Sequence, residues 1–80
     1  MSHLIIEKLC AEATVPKRAT QGSAGYDLCA VTYAILAPRS RIIVPTGLRI
    51  TIPEDCYGRI APRSSLAVKG IDVLAGVVDC

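Results

Sequence analysis

Residues 57–70 read Tyr57-Gly58-Arg59-Ile60-Ala61-Pro62-Arg63-Ser64-Ser65-Leu66-Ala67-Val68-Lys69-Gly70, and the rest of the chain is organised around them. The pattern predicts a strand that stops at Pro62, because proline cannot donate to a sheet ladder and disfavours helix in the residue before it. A single helical turn from Leu66 to Lys69 is expected next, with Ser64 or Ser65 as its N-cap. Gly70 is expected in the left-handed conformation just past the end of that turn.

The start of this turn has the donors of an anion-binding site. Main-chain N–H groups, the hydroxyls of Ser64 and Ser65, and the planar guanidinium of Arg63 can converge on one point, and phosphate oxygens fit such a geometry. A Pro-Arg-Ser-Ser segment alone is more often a solvated loop. The rest of the sequence therefore has to decide between these two interpretations.

The composition limits both the size of the fold and the classes of function. The 80 residues are enough for one domain, and a chain of this size buries only about 60% of the surface that its unfolded form exposes. Because 51% of the residues are hydrophobic, we expect the chain to hide surface against partners or further sequence. A net charge of +2, without a run of either sign, is too weak to argue for nucleic-acid binding, and no direct nucleic-acid partner is expected.

The sequence shows neither a signal peptide nor a stretch long and apolar enough to span a membrane, so an intracellular location (cytoplasm or nucleus) is expected. Its four cysteines are widely spaced and form no Cys-x-x-Cys pair, which favours reduced thiols over a disulfide framework or a zinc site.

The hydrophobic pattern elsewhere is that of an all-β protein. From Arg41 to Pro53 apolar residues recur at every second position, which predicts a half-buried strand bent at residues 45–47. Leu4 to Cys10 fits both periods, since Ile5, Leu9 and Ala13 have helical spacing whereas the β-branched Ile5-Ile6 pair suits a strand, and a strand is preferred. Ile71 to Asp79 is interpreted as a strand or hairpin covered on both faces. Short segments punctuated by proline and glycine favour a sandwich or barrel.

Two carboxylates complete a possible phosphoanhydride-hydrolysing set. Such a reaction needs neutralised phosphates, a metal held by hard oxygen ligands, and a base that activates water. Arg63 with the serines, Asp27 and Asp79 are candidates for these three tasks. Each carboxylate alone would more often be a cap or a turn residue.

Three ordered motifs give the chain a resemblance to the trimeric dUTP diphosphatases, or dUTPases. The first, the second and the beginning of the third motif are matched by Ala24-Gly25-Tyr26-Asp27-Leu28, Gly58-Arg59-Ile60-Ala61-Pro62-Arg63-Ser64-Ser65-Leu66-Ala67 and Ala75-Gly76-Val77-Val78-Asp79. Residues 44–48 and 69–73 also match, so the similarity extends from about Val15 onward.

The resemblance implies a jelly-roll-like, distorted β-barrel with one short helical turn, assembled as a homotrimer with active sites at subunit boundaries. It implies hydrolysis of dUTP to dUMP and pyrophosphate, with Mg²⁺ on the triphosphate. The implied roles are metal binding through water by Asp27, orientation of the attacking water by Asp79, and uracil recognition by the Gly76, Val77, Val78 and Asp79 backbone of a neighbouring subunit. Phosphate oxygens would be bound by Arg63, Ser64 and Ser65.

The sequence departs from the family in two ways. Ser65 stands where the family commonly has glycine, and the sequence ends one residue after Asp79, before the fourth and fifth motifs. We therefore expect residues 1–80 to be a single, partial dUTPase domain, incomplete at the C-terminus, inactive and poorly folded alone.

Two alternative functions remain open. The first is dCTP deaminase, which has the same fold and a similar Arg-Ser-Ser turn; Ser65 favours it, whereas Val68 stands where an arginine is expected. The second is a non-catalytic interaction module on a dUTPase scaffold.

Overall fold

The computed structural model describes residues 3–80 and contains four short strands and one helical turn. In chain order these are β1 (Ile5–Lys8), β2 (Leu48–Thr51), β3 (Gly58–Arg59), α1 (Ser64–Val68) and β4 (Val77–Val78). The strands form two two-stranded sheets, β1 with β2 and β3 with β4. The all-β class is confirmed, and within the described residues these sheets do not close into a barrel.

The chain divides into two compact units. The first unit is Ile6–Ile50, and the second joins the residues up to Ile5 with Thr51–Cys80. The assignment of the whole chain to one partial domain stays a prediction.

In the first unit, a left-handed glycine controls where strand β2 begins. Gly47 has φ +70°, and its carbonyl accepts the Leu9 N–H at 2.8 Å. A Cβ at this position would lie 2.9 Å from the Cys10 Sγ and 3.1 Å from the Cβ of Ala13, which is buried. The close packing at Gly47 therefore requires glycine for steric as well as conformational reasons.

The predicted strand from Arg41 is wrong in its first part. Residues 41–44 are exposed and not in a strand. The turn before them is closed by the Ser40 N–H, which donates to the Ala37 carbonyl at 3.2 Å, and just after them the Pro45 carbonyl accepts the Val31 N–H at 2.9 Å. The positive φ at Gly47 interrupts the extended backbone, so the strand begins only at Leu48.

The alternation beyond that point is confirmed. In β2, Leu48 and Ile50 are partly buried, whereas Arg49 and Thr51 are exposed. The expected N-terminal strand is also present as β1, and the Arg49 guanidinium lies 3.1 Å from the Glu7 carboxylate. This ion pair is solvent-exposed and adds little stability.

In the second unit, β3 and β4 form the framework for the residues that follow them. Their antiparallel register pairs Gly58 with Val78 and Arg59 with Val77. Ile52 is buried, and its Cδ1 would lie 3.0 Å from a Cβ placed on Gly58. Gly58 thus lets β3 pass close to the buried isoleucine.

The predicted strand or hairpin across residues 71–79 is shorter than expected, and the two valines of β4 are exposed, not covered on both faces. Ala75 and Gly76 have φ +63° and +85°, and two consecutive left-handed residues cannot continue an extended strand. β4 accordingly comprises only Val77 and Val78. Across the described residues, no helix has the length and apolar character needed to cross a membrane.

Candidate nucleotide-binding site

The helical turn α1 begins directly after Arg63. Arg63 is its N-cap, with an extended backbone (φ −67°, ψ 151°), and its carbonyl accepts the N–H groups of Leu66 and Ala67 at 2.9 Å each. The prediction that Ser64 or Ser65 caps the helix is therefore wrong, because both serines already have helical backbone inside the first turn. Arg63, Ser64 and Ser65 are all exposed.

The C-terminal end of α1 has the hydrogen bonds of a Schellman motif. The Gly70 N–H donates to the Ala67 carbonyl and the Ile71 N–H to the Leu66 carbonyl, both at 3.0 Å. Gly70 has φ +85°, which confirms the predicted left-handed glycine. These bonds close the turn after five helical residues and fix the backbone that carries Arg63 and the two serines.

The segment that ends in Asp79 is joined to the segment that leads into Arg63. The Ile60 N–H donates to the Gly76 carbonyl at 2.8 Å, one residue beyond the Arg59–Val77 pair. Two candidate groups of residues, Arg63–Ser65 and Gly76–Asp79, thus extend from neighbouring strands in one unit. The sequence pattern did not reveal this register, although the Ala75-Gly76 step before two valines marks the turn.

The register also determines which main-chain groups of β4 are available for a ligand. The bond between Ile60 and Gly76 makes Arg59 and Val77 a non-hydrogen-bonded pair. The N–H and C=O of Val77 therefore point away from β3. The Gly76 carbonyl, in contrast, is engaged by Ile60.

Asp79 and Arg63 extend from opposite ends of this ladder. Asp79 follows the Gly58–Val78 pair, whereas Arg63 lies beyond the Ile60–Gly76 bond at the other end. The strand pairing within one chain thus directs these two groups away from each other.

Asp27 lies in the first unit, in a short antiparallel contact with Lys17. Its N–H donates to the Lys17 carbonyl at 2.8 Å, and its side chain is partly buried. In the neighbouring residues, the Arg18 guanidinium carbon lies 5.0 Å from the centre of the Tyr26 ring. Asp27, Lys17 and Arg18 line the same open cavity, a clustering that the sequence did not predict.

Among the described residues, no three His, Cys, Asp or Glu side chains are grouped as a metal site. None of the four cysteines, all within the described residues, forms a disulfide. Mg²⁺ often binds through one or two carboxylates together with substrate phosphates and water, and a single carboxylate at Asp27 fits that mode of binding.

Comparison with known proteins assigns the family. The sequence model of the dUTPase family matches residues 11–80. The chain belongs to the dUTPase family. Motifs one, two and three of the sequence analysis all lie within the matched range.

Several curated relatives carry the same name, deoxyuridine 5′-triphosphate nucleotidohydrolase. The protein of Paramecium bursaria Chlorella virus 1 is 52% identical over an alignment of 80 residues that covers 99% of this chain and 57% of the viral protein. The mouse protein is 48% identical over 73 residues, or 90% of this chain and 45% of its own length. A protein of Schizosaccharomyces pombe, named as a probable member, is 48% identical over 75 residues, covering 92% of this chain and 54% of its own length. The chain thus spans about half the length of these dUTPases.

Proposed function

We propose that this chain supplies the phosphate-binding and base-binding segments of a site that hydrolyses dUTP to dUMP and pyrophosphate. The observation that carries the proposal is the pairing of β3 with β4 in a dUTPase-family chain. Through this pairing the second motif and the beginning of the third are held on adjacent strands.

Phosphate binding is assigned to Arg63, Ser64 and Ser65. A guanidinium offers a fork of N–H donors that matches phosphate oxygens, and two exposed hydroxyls add further donors. The Schellman motif at Gly70 supports this assignment because it fixes the turn on which these donors lie.

Base recognition is assigned to the backbone of residues 76–79. The outward N–H and C=O of Val77 are complementary to a uracil carbonyl and to the adjacent ring N–H. Cytosine has an amino donor and an unprotonated ring nitrogen at these places, so both hydrogen bonds would be lost. Unpaired polar groups of this kind give strong discrimination between substrates.

The reaction requires a water molecule to attack the α-phosphorus. The new bond joins the water oxygen to that phosphorus, the bond to the bridging oxygen breaks, and pyrophosphate leaves with that oxygen. We assign orientation of the water, and acceptance of its proton, to the Asp79 carboxylate, which is exposed after β4.

Asp27 is the residue assigned to Mg²⁺, through a water ligand. When bound, the ion neutralises negative charge on the triphosphate and orients it. The chain's own contribution is a hard carboxylate oxygen on a segment bonded to Lys17.

We further propose that the complete site forms between copies of the chain, in a homotrimer. The opposite directions of Arg63 and Asp79 along the β3–β4 ladder support this, since a second copy can bring a carboxylate to the arginine of the first. The exposed apolar side chains support it as well. Val77, Leu74 and Tyr57 are between 61% and 66% exposed, and contacts between copies would cover such surface.

The proposal is tested by titrating purified residues 1–80 with a non-hydrolysable dUTP analogue, with and without Mg²⁺. Where the copies assemble, we expect Mg²⁺-dependent binding of the dUTP analogue, weaker binding of the matching dCTP analogue, and little turnover of dUTP. The mass in solution, measured by light scattering, tests the trimer.

Three other outcomes have separate meanings. No binding of the dUTP analogue would contradict the proposal, and Mg²⁺-independent binding would favour a non-catalytic interaction module. Ammonia release from dCTP would identify a deaminase.

A further inference from the structure

The backbone around Gly76 combines three features that no other described glycine shares. Gly76 has φ +85°, the residue before it, Ala75, is also left-handed, and the Gly76 carbonyl accepts a hydrogen bond from the Ile60 N–H. In addition, a Cβ placed on Gly76 would collide with the carbonyl oxygen of Ile60. Because that oxygen belongs to the backbone, a side chain at position 76 cannot be accommodated without moving β3 and β4 apart.

Moving β3 and β4 apart would affect the base-binding part of the proposed site. Val77 follows Gly76 directly, and the direction of its free N–H and C=O depends on the register of β4 against β3. The phosphate-binding residues are on α1, and the bonds at Gly70 hold that turn independently. Displacing β4 should therefore disturb base recognition without disturbing the donors for phosphate.

We propose that Gly76 is a positioning residue for base selection: its bond to Ile60 and its missing side chain hold the Val77 backbone at the orientation that distinguishes uracil from cytosine. This role rests on the proposed function of the site. It adds a residue that acts through a neighbouring strand and need not touch the nucleotide with a side chain.

Gly70 provides a matched control. Its φ is also +85°, so replacement by alanine imposes the same kind of backbone strain, but no atom lies within 4 Å of the added Cβ. Only Gly76→Ala thus creates a collision with Ile60. Gly76→Ala affects the proposed base-binding segment, whereas Gly70→Ala affects the proposed phosphate-binding turn.

The experiment measures the affinities of both variants and of the unchanged chain for three probes: non-hydrolysable dUTP and dCTP analogues, and inorganic tripolyphosphate. For Gly76→Ala we expect the ratio of dUTP to dCTP affinity to fall by at least roughly tenfold. Its tripolyphosphate affinity should stay within about twofold of the unchanged chain, since the two regions act independently. Gly70→Ala should leave the ratio of dUTP to dCTP affinity unchanged and should bind tripolyphosphate more weakly.

A second variant separates positioning from misfolding. An ester in place of the amide at Ile60, introduced by chemical synthesis, removes the N–H donor without adding a side chain. The ester should also lower the ratio of dUTP to dCTP affinity. In the Gly76→Ala variant, the amide of Ile60 should lose its protection against hydrogen exchange.

The possible failures are distinguishable. If the unchanged chain binds none of the probes, the proposed function is wrong, and the positioning role with it. If the unchanged chain binds the probes but Gly76→Ala and the Ile60 ester have the same ratio of dUTP to dCTP affinity as that chain, only the positioning role is overturned. If Gly76→Ala and the Ile60 ester both lose affinity for all three probes to the same extent, Gly76 has a general structural role. That result would also overturn the positioning role.

Discussion

The tetrapeptide Ala-Pro-Arg-Ser occurs twice in the chain, at residues 37–40 and 61–64, and has two different structures. In the first copy, the Ser40 N–H and hydroxyl both donate to the Ala37 carbonyl, at 3.2 and 2.5 Å, and Arg39 has φ +57°. In the second copy, Arg63 is extended and its carbonyl accepts the first bonds of α1. Identical residues therefore close a tight turn in one unit and begin a helix in the other.

The difference shows that the residues after the tetrapeptide select its conformation. Ser40 is followed by Arg41-Ile42-Ile43-Val44, and β-branched side chains lose rotamer freedom in a helix. Ser64 is followed by Ser65-Leu66-Ala67-Val68, which includes good helix formers, and Gly70 then closes the turn. Only in the second copy, therefore, does the arginine lie at the start of a helical turn, where we propose that it binds phosphate.

The largest expected effect is on nucleotide binding. Arg63→Ala should weaken binding of the non-hydrolysable dUTP analogue roughly 10- to 100-fold, because it removes charge-assisted hydrogen bonds to phosphate. Isothermal titration calorimetry measures the change. Arg39→Ala makes the same change in net charge in the other copy and should leave the affinity nearly unaltered. Equal losses in both variants would show that overall charge, and not the framework, determines binding.

The next effect concerns the turn that distinguishes the second copy. Gly70→Ala should lower the free energy of unfolding by about 1–2 kcal/mol, since a Cβ is unfavourable in the left-handed conformation. Urea unfolding measures this change. Gly22→Ala is the control, because a Cβ there also meets nothing within 4 Å and Gly22 is not among the glycines with positive φ. An equal loss in the control would mean that the left-handed conformation is not the cause.

The smallest expected effect is on the free energy of unfolding, and it should have opposite signs in the two copies of the tetrapeptide. Arg39→Gly removes a non-glycine residue from the left-handed region and should raise the free energy of unfolding by about 0.5–1 kcal/mol. Arg63→Gly should lower it by a similar amount, because an extended residue gains nothing from glycine and the unfolded chain becomes more flexible. Thermal unfolding of the two variants gives the comparison, and changes of the same sign would contradict it.

Much of the second unit could be predicted from local sequence. A helical turn and the left-handed Gly70 follow from properties of single residues and their neighbours, and both are present. The strand that was expected to stop at Pro62 ends earlier, at Arg59. The N-cap was misplaced because Ser64 and Ser65 have the better capping side chains, whereas the backbone places Arg63 in that position. Capping preference is a weak signal when several residues compete within one turn.

The first unit was less predictable. The alternating pattern from Arg41 to Pro53 was interpreted as one bent strand, yet regular pairing begins only at Leu48. Periodicity identifies which residues can share a face, but it does not supply the neighbouring strand that makes them a sheet. The roles of Asp27, Asp79 and the phosphate-binding residues stay predictions, as do the Mg²⁺ ion, the homotrimer and the intracellular location.

The dUTPase family, the all-β class and the left-handed Gly70 follow from the sequence alone, because they depend on side-chain identity and local backbone preference. The bond from Ile60 to Gly76, the outward main-chain groups of Val77, and the departure of Arg63 and Asp79 from opposite ends of the ladder become visible only in the folded chain. The physical reason is strand register: a shift of one residue reverses every side chain and every main-chain group, and no local preference fixes it.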